Sequence, residues 1–269
     1  MPEPVLQVDN LRKEYGPLVA VDGVSFTVPE GGSLAIVGES GSGKTTVARL
    51  IVGLERATTG TIHACGRDRS IPARSTPERR LRGREVQIVF QDPYTSLDPR
   101  QTMEDAIDEV LRLHRGWPAD RRKQRVRDLS DLVGMDTRQT RALPRALSGG
   151  QRQRVAIARA LAAEPRVVIL DESVAALDVS IQAQVLNLLA DIRDETSISF
   201  VLISHDLAVV RQLTEQVVVM WRGRVVERGK TADVLDHPQD DYTKLLRSSV
   251  PRPGWKPKQR LSLSPRGEG

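Results

Sequence analysis

Three short stretches of this chain combine residue types that could act on a phosphorylated ligand. The first is Gly38-Glu39-Ser40-Gly41-Ser42-Gly43-Lys44-Thr45, set between the apolar run Ser33 to Val37 and a helical pattern from Thr46 to Val52. Glycines at this spacing let backbone N–H groups converge on phosphate oxygens at a helix N-terminus, whose partial positive charge favours an anion. Lys44 can then reach β/γ-phosphates, and the Thr45 hydroxyl can ligate Mg²⁺. With the strand before it and the helix after it, the stretch is a complete P-loop, which predicts a nucleoside triphosphate as ligand.

The second stretch is Val167-Val168-Ile169-Leu170-Asp171-Glu172, an apolar strand ending in two carboxylates. A strand buried on both faces carries Asp171 to the carboxyl edge of a sheet, where open α/β sheets bind ligands and where the P-loop also emerges. Asp171 is placed to hold Mg²⁺ through water. Glu172 is the natural base, because attack on a γ-phosphate needs a carboxylate to orient water and accept its proton. The third stretch, Leu147-Ser148-Gly149-Gly150-Gln151, precedes a helical run from Arg152 to Ala162 and forms a second glycine-rich helix start aimed at an anion. One nucleotide does not need two such cradles from a single chain.

Positioning these groups takes alternating strands and helices. Short apolar or β-branched runs at Val5 to Val8, Val24 to Val28 and Ser33 to Val37 read as an antiparallel start, with turn signals Asp22-Gly23 and Glu30-Gly31-Gly32 between them. Thr61 to Ala64 and Val86 to Phe90 read as further strands. From about Gln101 to Ala163 the periodicity is helical: Met103, Ile107, Val110 and Leu111 share one face, and Leu129, Leu132 and Val133 another. Strands return at Val167 to Leu170, Phe200 to Ile203, Val217 to Met220 and Arg224 to Val226, with a helix over Ile181 to Arg193. This alternation predicts an α/β fold with a mostly parallel, covered sheet and a helical insertion.

Composition narrows the class. At 269 residues and 39% hydrophobic content the chain can bury one large core. Its single cysteine, Cys65, excludes an internal disulfide and fits a reducing compartment. The start Met1-Pro2-Glu3-Pro4 has no secretory pattern, and no apolar run approaches the roughly 20 residues of a membrane-spanning helix, so any membrane role is expected to be peripheral. Net charge is +5, with arginines clustered at Arg67 to Arg84, Arg112 to Arg127 and Arg247 to Arg266. Aromatic residues make up only 3% and acidic residues interleave the clusters, which reads as solvated faces and not as a nucleic-acid surface.

The pairing of a P-loop with Leu147-Ser148-Gly149-Gly150-Gln151 resembles the ABC ATPases, and the likeness covers the chain to about Val250. The resemblance implies a P-loop ABC ATPase core with an antiparallel β-subdomain and an inserted helical subdomain at about 92–163. It implies a C-terminal extension at about 231–250, leaving 251–269 as a disordered tail. ATP and Mg²⁺ are the implied ligands, with Tyr15 stacking on adenine and residues Gly38 to Thr46 holding the phosphates. Gln91 resembles the Q-loop glutamine that joins Thr45 and Asp171 at Mg²⁺ and links the site to the membrane subunit. His205, in Ile203-Ser204-His205-Asp206, resembles the switch histidine at the γ-phosphate. Ser148, Gly149, Gly150 and Gln151 resemble the signature that closes over a partner's nucleotide. Ala176-Leu177-Asp178 resembles the D-loop, with Asp178 at the dimer seam; Ser173 and Ala175 depart from the Pro and Ser usual there.

Two further segments narrow the resemblance. Val89 to Arg100 is similar to the segment of dipeptide, oligopeptide and nickel importer ATPases, and His237-Pro238-Gln239-Asp240-Asp241-Tyr242-Thr243-Lys244-Leu245-Leu246 with Val250-Pro251 resembles their C-terminal extension. Many relatives carry a cysteine cluster there; this chain has none, so no metal cluster is expected. Ala48-Arg49-Leu50 looks like the second ATPase of a two-ATPase pair. The implied assembly is a heterodimer of ATPases, two permeases and an extracytoplasmic solute-binding protein at the cytoplasmic face of the cell membrane. A nickel or other small-solute importer and a soluble non-transport ABC ATPase are the alternatives. The intact Glu172 and His205 argue against a purely regulatory module.

Overall fold

A computed structural model describes residues 4–92, 96–173 and 179–248. Its main sheet has six strands: β3 (Ser33–Val37), β6 (Val86–Val89), β7 (Val167–Asp171), β8 (Ser199–Ser204), β9 (Gln216–Trp221) and β10 (Arg224–Lys230). Their order is β10-β9-β3-β8-β7-β6, parallel except for the antiparallel β10. Every residue of β3, β7 and β8 is buried, which is why these strands read as continuous apolar runs and not as alternating ones.

Side-chain alternation along the strands divides the interior in two. Leu34, Ile36, Ile169, Ile203 and Val218 face a core shared with α1 (Lys44–Val52) and with the second sheet. Ala35, Val37, Leu170, Leu202 and Val219 face the other core, covered by α6 (Gly149–Ala162), α7 (Val179–Glu195) and α8 (Leu207–Leu213). The same core extends to α3 (Met103–Arg115) and α4 (Ala119–Leu132) through Met103, Ile107, Leu111 and Leu129, the faces expected from their helical spacing. α2 (Thr76–Glu85) leads directly into β6, and α5 (Thr137–Thr140) follows α4. The last described elements are α9 (Thr231–Asp236) and α10 (Asp241–Ser248).

The second sheet is antiparallel, in the order β2-β1-β4-β5, from β1 (Leu6–Tyr15), β2 (Leu18–Val28), β4 (Thr59–Ala64) and β5 (Arg67–Asp68). It corrects one turn. The strands reverse at Gly16-Pro17, and Asp22-Gly23 lies inside β2. Leu11 pairs with Val24 and Lys13 with Val21, so Asp22 and Gly23 together oppose Arg12 as a bulge. Gly23 takes φ 70°, a conformation Asp-Gly offers to a bulge as readily as to a hairpin turn. The bulge aims the Asp22 carboxylate at Arg12 and at Arg224, 2.7 Å away, and the Arg224 hydrogen bond is the main cause of its lowered pKa. The Asp22 N–H donates to the Gly223 carbonyl at 2.8 Å, tying the second sheet to the turn after β9.

Candidate active site at the carboxyl edge

The P-loop leaves β3 at Gly38 and enters α1 at Lys44, at the carboxyl edge of the parallel strands. Its glycines are demanded by space as well as conformation. Gly38 has φ 151° and a Cβ there would lie 2.2 Å from the Met220 carbonyl oxygen; Gly43 has φ 101° and a Cβ there would lie 2.4 Å from the Ala20 carbonyl oxygen. Lys44 is 4% exposed, and its Nζ donates to the carbonyls of Gly38 and Glu39 at 2.8 Å each. Burial pushes its pKa down, opposed by the charges of Glu172 and Asp171. A desolvated ammonium whose partners are carbonyl dipoles is set to gain from an incoming phosphate.

β7 delivers the two carboxylates beside this loop. Asp171 accepts a hydrogen bond from Thr45 Oγ1 at 3.2 Å, and burial raises its pKa. Glu172 follows with φ 47°, held by its N–H donating to the Ile203 carbonyl at 2.9 Å. Its Oε1 lies 3.5 Å from Nδ1 of His205, just past the end of β8. Ser173 is buried, and its hydroxyl has no partner among the described residues. The D-loop residues Ala175, Ala176, Leu177 and Asp178 lie outside the described residues, as does the tail 251–269.

A cleft of about 290 Å³ opens over these groups, lined by Tyr15, Ser40, Gly41, Lys44, Thr46 and Glu172 among others. Leu18 and Ala20 also line it. Sequence reading missed this pair, because only the true position of the β1–β2 reversal brings β2 beside the P-loop. Tyr15 is well exposed, its hydroxyl donates to Glu55, and Lys13 Nζ sits 4.7 Å from its ring centroid. Gln91 does not join the cleft lining. It stands exposed two residues beyond β6, which β7 and β8 separate from β3, and residues 93–95 that follow lie outside the described residues.

The signature residues sit apart from the cleft, at the start of α6. Ser148 is the N-cap: its Oγ accepts from the Gln151 N–H at 3.3 Å, and Gln151 Oε1 accepts from the Ser148 N–H at 2.8 Å. This capping box satisfies two orphan helix-start donors reciprocally. Gly150 has a packing reason for lacking a side chain, since a Cβ would lie 2.3 Å from Cγ2 of Ile181 on α7. Gly150→Ala should therefore cost about 1–3 kcal/mol of stability by overpacking, read by urea unfolding. Adding Ile181→Ala should recover most of that loss. A double variant no more stable than Gly150→Ala would show that the glycine answers to something other than Ile181.

Fold and cleft define a P-loop nucleoside triphosphatase with a second, separately placed glycine-rich helix start. The sequence profile described as "ABC transporter" matches residues 21–175, more than half of the chain, and the chain belongs to that family as an ATP-binding, ATP-hydrolysing subunit. It is 43% identical over 234 residues to the oligopeptide transport ATP-binding protein OppF of Lactococcus lactis subsp. lactis, covering 87% of this chain and 73% of that one. With the dipeptide transport ATP-binding protein DppF of Haemophilus influenzae it shares 44% over 259 residues, 93% of this chain and 79% of the relative. Among solved structures, CbiO1 of Clostridium perfringens, part of the ABC transporter complex CbiONQ, superposes with a TM-score of 0.78 at 28% identity, covering 87% of this chain and 92% of that one. The dimeric cassette MJ0796 bound to ADP and Pi gives 0.75 at 28% identity, covering 84% and 98%.

Proposed function

We propose that the chain energises the import of dipeptides or oligopeptides, working with a second ATPase, two permeases and a solute-binding protein. The observation that carries this reading is identity of 43–44% across 87–93% of the chain to ATP-binding proteins of oligopeptide and dipeptide transport. No helix among the described residues is long and apolar enough to cross a membrane, and in this reading the permeases supply the channel. Attachment at the cytoplasmic face follows from that division of labour. Ala48-Arg49-Leu50 in α1 supports the role of second ATPase in a heterodimer.

Each residue has a part in hydrolysis. Backbone N–H groups of residues 41–46 and the Lys44 ammonium hold the β- and γ-phosphates, and Tyr15 carries the adenine. Thr45 and Asp171 offer hard oxygen donors 3.2 Å apart, and no group of three His, Cys, Asp or Glu able to hold a metal occurs among the described residues. That sparse oxygen set suits Mg²⁺, which keeps waters and phosphate oxygens as most of its ligands and, when bound, neutralises charge on the β/γ oxygens. Glu172 orients a water and takes its proton as the water oxygen bonds to the γ-phosphorus and the bond to the β–γ bridging oxygen breaks. His205 steadies the γ-phosphate, and Gln91 would be a further oxygen ligand for the metal, a partner of the attacking water and the link from the site to the permease. Ser148 to Gln151 close over the nucleotide of the second ATPase, as a dimeric relative makes reasonable.

Two measurements test this. Lys44→Ala should weaken ATP binding by about 10-fold or more, because a buried charge–phosphate contact is lost in the ground state. Unchanged affinity by calorimetry would remove Lys44 from the phosphate site. Deleting the chain's gene should abolish uptake of labelled di- and oligopeptides; retained peptide uptake with loss of nickel or another small solute would reassign the cargo.

A further inference from the structure

The segment around His237 to Leu246 has no part in the phosphate chemistry above, yet one of its side chains reaches the P-loop. Tyr242, in the first turn of α10, is 4% exposed and stacks on Trp221 with ring centroids 5.6 Å apart and planes 28° from parallel. Its hydroxyl accepts a hydrogen bond from the backbone N–H of Glu39 at 2.8 Å. Glu39 is the second residue of the P-loop, 203 positions earlier in the chain. We propose that Tyr242 is a positioning residue for the nucleotide, holding the first P-loop peptides in place from behind while the loop's later N–H groups bind phosphate. The proposal rests on the reading of the cleft as the ATP site.

On its outer side the loop leans on the turn after β9, where the Gly223 N–H donates to the Ser42 carbonyl at 3.1 Å. On its inner side Lys44 holds the carbonyls of Gly38 and Glu39. An ammonium has three donors; two of those on Lys44 go to these carbonyls and the third faces Ser42 Oγ at 3.5 Å, so a phosphate at Lys44 competes with the loop's own acceptors just when the loop must stay in register. The Tyr242 bond is made to an N–H and is untouched by that exchange. Its own geometry is fixed from β10: Glu227 accepts the N–H groups of Gln239 at 2.9 Å and Asp240 at 3.1 Å, and the Asp240 carboxylate accepts the Tyr242 N–H at 2.8 Å. The ring stack sets the remaining torsions, so the hydroxyl arrives at Glu39 with little freedom to lose.

The test is Tyr242→Phe in the full chain, which keeps the ring and its stack and deletes only the hydroxyl that accepts the Glu39 N–H. Affinity for Mg·ATP, by calorimetry, should fall about 3–10-fold, and KM of the assembled transporter should rise in proportion while kcat changes less than about twofold. Exchange of the Glu39 amide should accelerate about 10-fold or more, with the core amides of β3 and β8 unchanged. Should the variant prove unstable, the wild-type chain still decides: a Glu39 amide exchanging without protection in the nucleotide-free protein overturns the proposal. Wild-type affinity and KM in Tyr242→Phe, beside lost binding in Lys44→Ala, would also overturn it and leave the ATP site standing. Wild-type binding in both variants would remove the ATP site along with it.

Discussion

Glu172→Gln should bind ATP as the wild type does and hydrolyse it about 10²–10⁴-fold more slowly, the usual worth of a positioned general base. That loss corresponds to about 3–5 kcal/mol of barrier. The amide matches the carboxylate in size and can still orient a water, so binding and loop geometry are retained; it cannot take the proton. The site is built to keep this side chain in one place. Glu172 lines the cleft, its backbone is pinned to β8 by the bond to Ile203, and its carboxylate faces His205 at 3.5 Å. A left-handed φ of 47° at a non-glycine residue costs on the order of 1 kcal/mol or more, and the strand pairing on either side maintains it. The measurement is steady-state and single-turnover ATPase of the assembled transporter, with calorimetry for affinity. Turnover near the wild-type rate would take Glu172 out of the role and point to His205 or to Gln91 as the group that orders the water.

What was legible in the sequence was local. Gly38 to Thr46 announced itself because strand, glycines and helix start are contiguous, and Asp171-Glu172 because a fully apolar strand has one end at which charge is tolerated. The helical stretch after β6 was equally plain, since Met103, Ile107 and Leu111 repeat at helical spacing and all three are buried. The misread turn at Asp22-Gly23 shows the limit of dipeptide signals: positive φ suits a bulge and a turn alike, and only the register against β1 decides between them. The two faces of β3 could not be told apart beforehand, because Leu34, Ala35, Ile36 and Val37 are all apolar and the layers on either side are distant in sequence. Gly150 read as room for an anion, and the closest atom to its missing Cβ belongs to Ile181. The contact of Tyr242 with Glu39 joins residues that no local pattern relates.

Ser148→Arg should separate ATP binding from closure of the ATPase pair. In the isolated chain its P-loop lies in a cleft that residues 148–151 do not line, so ATP affinity should stay within about threefold of wild type. The substitution does two things at the start of α6. It removes the N-cap acceptor, an effect worth about 1 kcal/mol of helix stability, and it places a bulky cation where the Gly149 and Gly150 N–H groups would approach the partner's γ-phosphate. Ser148→Ala isolates the first effect, because alanine lacks the acceptor but adds no bulk. ATPase activity of the assembled transporter should therefore fall modestly for Ser148→Ala and by about 10²-fold for Ser148→Arg, the scale of losing fixed donors at a charge that grows in the transition state. Light scattering after size exclusion reads closure directly. With Glu172→Gln in this chain and the second ATPase present, ATP should drive a stable pair, and adding Ser148→Arg should prevent it. A pair that forms with undiminished affinity in the presence of Ser148→Arg would mean that the α6 start does not close over the partner's nucleotide. A tight ATP-driven homodimer of this chain alone, hydrolysing at full rate when Glu172 is intact, would replace the heterodimer with a self-paired ATPase.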